Sequence, residues 1–132
     1  MKGSGKDIIR TLEQQQDRAI KAITASTSGH GIEELYASGV DLVLSGHDHD
    51  YERFSPLDAD GRVDKIHGIR SFIVGTGGAH HAEFGTIKTG SEVRNNDTFG
   101  VLKLVLHQTG YEWEFVPEVG KSFADRGNAR CH

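Results

Sequence analysis

Two histidines separated by one residue, His47 and His49, have the type and spacing to do chemistry. Neutral imidazole binds zinc, iron, copper and nickel through one ring nitrogen. In an extended segment, residues i and i+2 point the same way, so both rings can face one ion. In a tight turn they can instead reach two neighbouring ions. Asp48 and Asp50 could orient the rings by accepting their other N–H groups. The pair therefore indicates a metal site, and the alternative is a polar surface turn with two histidines by coincidence.

The elements before the pair are expected to position it at the edge of a sheet. The apolar run from Val40 to Leu44 predicts a strand that is buried on both faces. Gly46 allows a sharp turn where this strand ends. A short helix is predicted from Ile32 to Ser38, and Gly39 is expected to end it. In layered α/β structures, ligands bind at the carboxyl ends of such strands, which is where the histidines stand.

A second strand is predicted from Ser71 to Val74, and it also runs into glycines and then histidines. The glycine-rich turn spans Gly75 to Gly78, and His80 and His81 follow it. Backbone of this kind can approach a ligand closely or offer N–H groups to an anion. The alternative is a sharp structural turn with two exposed histidines.

The amino-terminal part is predicted to be a helix followed by a loop. Apolar residues recur at helical spacing from Asp7 to Ile23. The segment from Thr24 to Gly31 has the composition of a loop. His30 lies between two glycines in this loop, so we expect it to be exposed.

The carboxyl-terminal half is predicted to be rich in strands and turns. Arg62 to His67 is expected to be a short edge strand, and Glu83 to Asp97 is expected to be irregular. Alternating apolar residues predict a hairpin whose strands are Leu102 to Leu106 and Tyr111 to Phe115. The tail from Pro117 onward is expected to be a loop.

Composition narrows the class of protein. The chain has 132 residues, which fits one domain, and a formal net charge of -4, which argues against nucleic acid or an anionic membrane as a partner. No apolar run is long enough to span a bilayer, and no secretory signal is recognisable, so the compartment stays unknown. Cys131 is the single cysteine, so it is either incidental or has lost a disulfide partner.

The full string around the histidines is more specific than their spacing. Ser45 to His49, followed by Asp50-Tyr51-Glu52-Arg53, resembles the last metal-binding block of the calcineurin-like metallophosphoesterases. It is most similar to the branch that contains the purple acid phosphatases. Residues 31–132 resemble the C-terminal part of such a domain, and residues 1–30 would be an amino-terminal helix and loop.

The resemblance implies a fold, a cofactor and a reaction. The fold class would be α/β (α+β), as the C-terminal half of a four-layer α/β/β/α sandwich. Family members hold two metal ions, commonly iron with zinc or manganese, and a metal-bound hydroxide attacks a phosphate ester. His47 would bind the second metal and His49 the first.

The chain also departs from the family pattern. The early aspartate-histidine motif, the bridging aspartate and the asparagine-histidine block are all missing from the sequence. A further upstream histidine is expected, and His30 could substitute for it. Two histidines alone hold a metal weakly, because stable sites take three or four protein ligands.

Three hypotheses about the function of the chain therefore remain open. The chain could be part of a phosphoesterase whose other half lies elsewhere. It could be a truncated, non-catalytic family member. It could be a small metal-binding module that uses His47 and His49 with His80 or His81, and Asp48 could line any of these sites. Half of a sandwich exposes strand edges, so we also expect self-association or binding to a missing amino-terminal half.

Overall fold

Eight strands and one short helix make up the regular structure of residues 22–24 and 31–132, which the computed structural model describes. The helix α1 spans Ile32–Ala37. The strands in chain order are β1 Ala22–Thr24, β2 Leu42–Ser45, β3 Tyr51–Phe54, β4 Arg70–Val74, β5 Ser91–Asn95, β6 Gly100–Leu106, β7 Gly110–Pro117 and β8 Arg126–Arg130. The fold is therefore mixed α+β and dominated by strands.

The strands form two sheets. The first has five strands in the order β1-β2-β4-β3-β5. In it, β1, β2 and β4 are parallel, whereas β3 is antiparallel to both of its neighbours. The second is a three-stranded antiparallel meander in the order β6-β7-β8. Because β2 and β4 are parallel neighbours, the loops after them leave the sheet at the same edge.

Aromatic side chains join the two sheets face to face. The Tyr51 ring lies 4.8 Å from the Phe115 ring, and the Phe72 ring lies 5.6 Å from that of Trp113. All four side chains are buried, and Leu42 completes the same cluster from β2. Burial of each such side chain contributes about 1.5–3 kcal/mol.

The helix covers the opposite face of the first sheet. Leu35 of α1 packs with Val40, Val43 and Ile69 in a second buried cluster. Gly39 ends the helix as predicted, at a φ of 67°, and the N–H of Val40 donates to the Leu35 carbonyl at 3.1 Å. This turn at the end of the helix directs the chain into β2. Within the described residues, no helix is long and apolar enough to cross a membrane.

Several predicted elements are confirmed with small shifts. The helix ends one residue early, at Ala37, and the first predicted strand is Leu42–Ser45. The second predicted strand starts one residue earlier, at Arg70. The predicted hairpin is present as β6 and β7, with Leu104 opposite Trp113.

The predicted edge strand from Arg62 to His67 is wrong. Val63 forms only an isolated bridge with Leu57. The carboxylate of Asp64 accepts the backbone N–H groups of Ile66 and His67 at 2.9 and 3.0 Å, which folds the segment into a turn. A local side-chain hydrogen bond of this kind competes with strand pairing.

Three segments predicted to lack strands contain them. Within the segment predicted as irregular, residues Ser91–Asn95 form β5 because they pair with β3. In the tail, Arg126–Arg130 forms β8 against β7. Ala22–Thr24 forms β1, so the predicted helix cannot extend to Ile23, nor can the loop begin at Thr24. The rest of that helix and His30 lie outside the described residues.

Candidate metal site

The two histidines lie in the loop that leaves the carboxyl end of β2. That loop connects β2 to β3, which begins at Tyr51. The glycine-rich turn after β4 leaves the same edge of the sheet, because β2 and β4 pair in parallel. The fold therefore brings together the two histidine-bearing segments that the sequence singled out.

Close backbone contacts fix the two loops against each other. The N–H of Gly75 donates to the Asp50 carbonyl at 2.9 Å, and the N–H of Ala82 donates to the His49 carbonyl at 3.1 Å. A Cβ atom at Gly75 would lie only 1.8 Å from the Asp48 carbonyl oxygen. Only glycine fits there, so Gly75 is a positioning residue for the histidine loop. The sequence signal for it was the strand that ends in a glycine-rich turn.

His47 adopts a backbone conformation that favours glycine. Its φ is 77°, and it is the single non-glycine residue with positive φ in the described part of the chain. The sequence predicted the sharp turn at Gly46, but the structure has it at His47. Its side chain is exposed. A strained residue that holds an imidazole outward is typical of functional loops.

His80 joins His49, whereas His81 does not. The rings of His49 and His80 lie 4.6 Å apart and nearly perpendicular. His81 instead stacks on Phe99 at 4.0 Å, and its Nδ1 atom is buried without a hydrogen-bond partner among the described residues. Of the two histidines after the glycine turn, His80 is therefore the one placed to act with His49.

The neighbouring aspartates differ in their surroundings. Asp48 is exposed, whereas Asp50 is buried and its Oδ1 atom has no hydrogen-bond partner among the described residues. Burial, followed by the nearby charges of Asp48 and Glu52, raises the pKa of Asp50 to about 6. Among the described residues, neither aspartate hydrogen-bonds to an imidazole, so their orienting role stays a prediction.

These side chains fit part of a metal site rather than a complete one. His47, His49 and His80 offer imidazole nitrogens at one edge of the sheet. However, no three His, Cys, Asp or Glu residues in the described ranges are grouped closely enough to hold an ion. Further ligands would have to come from outside those ranges. His30, which could supply one, lies there.

A second group of polar residues, which sequence reasoning missed, lies between the two sheets. Asp125 is buried and accepts hydrogen bonds from the Tyr51 hydroxyl and from Nε of Arg53, both at 2.7 Å. Glu92 forms ion pairs with Arg53 and Arg70. The two guanidinium groups lie 5.1 and 5.0 Å from the ring centroid of Trp113. We call Tyr51, Arg53, Arg70, Glu92 and Asp125 the inter-sheet polar cluster.

Comparisons with known proteins do not identify a family. No protein-family model matches the chain. A search of curated proteins finds none with significant similarity.

Proposed function

We propose that this chain is the metal-binding C-terminal part of a metal-dependent phosphoesterase of the calcineurin-like type. The observation that carries the proposal is the placement of His47 and His49. Both follow a central parallel strand and lie at the sheet edge where ligands bind, within a sequence string that resembles a metal-binding block. The strained backbone of His47 supports a functional use of this loop.

The layer order supports the same proposal. A helix, a mixed sheet and a second sheet lie in sequence across the described residues. These would be three of the four layers in an α/β/β/α sandwich. In that fold the histidine loop would lie at the open end of the sheets, accessible to a phosphate ester.

In the proposed site, His47 and His49 would hold iron, zinc or manganese through neutral imidazole nitrogens. A bound ion of this kind would activate water and stabilise the charge that develops on the phosphoryl oxygens. The chain's own contribution is to fix both histidines on a rigid turn, through Gly75 and the His49 carbonyl. Because no three possible metal ligands are grouped among the described residues, we expect little or no turnover by the chain alone.

The contact between His49 and His80 favours a second candidate. A small imidazole-based metal module would use these two rings with His47 and would have no hydrolytic role. A truncated family member without activity would bind neither metal nor phosphate. The three possibilities therefore differ in what the purified chain binds.

Binding of inorganic phosphate, measured with and without metal, separates them. The proposal predicts that phosphate binds only to zinc- or manganese-loaded chain, because an incomplete ligand set leaves coordination positions open. His47→Ala and His49→Ala should abolish this binding. His107→Ala is the matched control, since His107 is half-exposed on the other sheet and lies 3.6 Å from Glu112. Metal binding without phosphate binding would favour the module, and binding of neither would overturn the proposal.

A further inference from the structure

Strand β6 carries a row of leucines that faces the space between the sheets but is incompletely covered. In the hairpin, Leu106 lies directly opposite Tyr111, and opposite residues in a sheet share one face. Tyr111 is 3% exposed, whereas Leu106 is 53% exposed. Leu102 and Leu104 belong to the same row and are half-buried. The inter-sheet layer is therefore closed over β7 and open along β6.

The backbone of β6 is also open on that side. The N–H of His107 donates to the Gly110 carbonyl at 2.8 Å, so odd-numbered residues of β6 pair with β7. The even-numbered residues consequently turn their N–H and C=O groups away from β7. Gly100 uses this side to donate to the Thr76 carbonyl at 3.0 Å. No strand of the described residues pairs with β6 beyond that point.

A hollow of about 360 Å³ continues the opening toward the first sheet. Leu44 and Val74 line it from that sheet, and Val101 and Leu102 line it from β6. An unpaired strand edge next to exposed leucines is a template for another strand. The surface fits an extended segment whose apolar residues alternate.

We infer that this surface binds a second copy of the chain through antiparallel pairing of β6 with β6. Pairing centred on Leu104 places that residue opposite its own counterpart and Leu102 opposite Leu106 of the other copy. All three leucines are then paired across the twofold axis, and Lys103 lies opposite Val105. Centring on Lys103 would instead place like charges opposite each other, which is unfavourable.

The edge strands β5 and β8 are less suited to such pairing. Along β8, Arg126 and Arg130 stand at an edge of the second sheet, and along β5, Glu92 and Arg94 stand at an edge of the first. Charged residues on edge strands oppose pairing with another chain. Each of these two strands would bring two charged residues to the contact, whereas β6 brings only Lys103. The dimer would have a continuous six-stranded sheet made from two copies of β6-β7-β8.

Sedimentation equilibrium of the full chain in EDTA tests the inference without any contribution from metal. We expect a monomer–dimer equilibrium that Leu106→Lys weakens by about tenfold, because a charge replaces an apolar cross-strand partner in both copies. Val119→Lys is the matched control, since it adds the same charge at a fully exposed position outside β6. Monomers at all concentrations would overturn the inference, as would equal weakening by both substitutions. The metal proposal would be unaffected by either result.

Disulfide cross-linking tests the register and covers the case in which Leu106→Lys fails to fold. In a Cys131→Ser background, Leu104→Cys should form a disulfide-linked dimer, because residues in a hydrogen-bonded antiparallel pair have Cα atoms about 5.5 Å apart. Leu106→Cys should cross-link much less, although Leu106 is more exposed, because its partner in this register is Leu102. Greater cross-linking at Leu106, or none at either position, would contradict the inferred pairing.

Discussion

The histidine loop and the inter-sheet polar cluster both concentrate polar side chains, but they use them differently. In the cluster, Asp125 is buried and accepts hydrogen bonds from Tyr51 and Arg53. In the loop, His47 is exposed and makes no hydrogen bond or ion pair with another described residue. Buried polar groups that satisfy one another hold a fold together. Polar groups held outward on a strained turn are available to a ligand.

The difference predicts opposite consequences of substitution. Removing a member of the cluster should damage the fold, whereas removing an imidazole should damage binding and spare the fold. This separation follows from burial and partnering rather than from residue type. It can be tested with single substitutions in each region.

The largest effect on stability is expected for Asp125→Ala. The substitution leaves the Arg53 guanidinium and the buried Tyr51 hydroxyl without their shared acceptor. This should lower the free energy of unfolding by about 3–5 kcal/mol. Urea denaturation should report the loss. Asp60→Ala is the control, because its ion pair with Arg62 is exposed and is worth about 1 kcal/mol at most. Equal losses in the two variants would remove the distinction between the regions.

Gly75→Ala should have the next largest effect. The Cβ atom of the alanine would overlap the Asp48 carbonyl, so the two loops must move apart. This should lower the free energy of unfolding by about 1–3 kcal/mol. Gly77→Ala in the same turn has open space and should be nearly neutral. Thermal melting of both variants checks the contrast. A neutral Gly75→Ala would mean that the loops are not packed as described.

His47→Gly should stabilise the fold while it weakens metal binding. Glycine relieves the cost of positive φ, which is about 1 kcal/mol for a residue with a side chain. A higher melting temperature in EDTA, together with weaker zinc binding, is the expected pair of results. A lower melting temperature would indicate that the imidazole supports the fold, as the residues of the inter-sheet polar cluster do.

The reactivity of Cys131 gives a chemical test of burial in the folded chain, and this test requires no substitution. Burial, together with the charge of Asp41, raises the pKa of this thiol to about 11. Below that pH the group remains mostly protonated, so alkylation by iodoacetamide at pH 8 should be about 100-fold slower than for the denatured chain. The rate should rise about tenfold per pH unit up to about pH 11. Rapid alkylation of the native chain at pH 8 would contradict a shielded thiol.

Local patterns predicted the central elements of this fold. The apolar runs before the two glycine turns specified β2 and β4, and Gly39 marked the end of α1. Alternation predicted the hairpin, because each leucine of β6 lies opposite a buried aromatic residue of β7. The histidine pair was placed correctly at the end of β2.

Elements that depend on distant partners could not be predicted in the same way. The polar strands β5 and β8 form because their backbones pair with β3 and β7, respectively. Gly127 lets β8 lie against the Trp113 ring. The inter-sheet polar cluster joins Arg53 to Asp125 across 72 positions of sequence. The approach of His80 to His49 likewise depends on parallel neighbours in the sheet. Spacing along the chain carries no signal for these strands or for the inter-sheet polar cluster, and it left His80 and His81 as alternative partners of His49.

The most direct test of the proposed metal site is the metal content of the purified chain, measured by equilibrium dialysis against iron, zinc or manganese so that a weakly held ion stays bound. We predict that the chain retains metal, that the His47→Ala/His49→Ala variant loses it, and that His107→Ala retains it. Equal retention by all three chains, or no retention by any of them, would contradict the assignment of this loop as a metal-binding block.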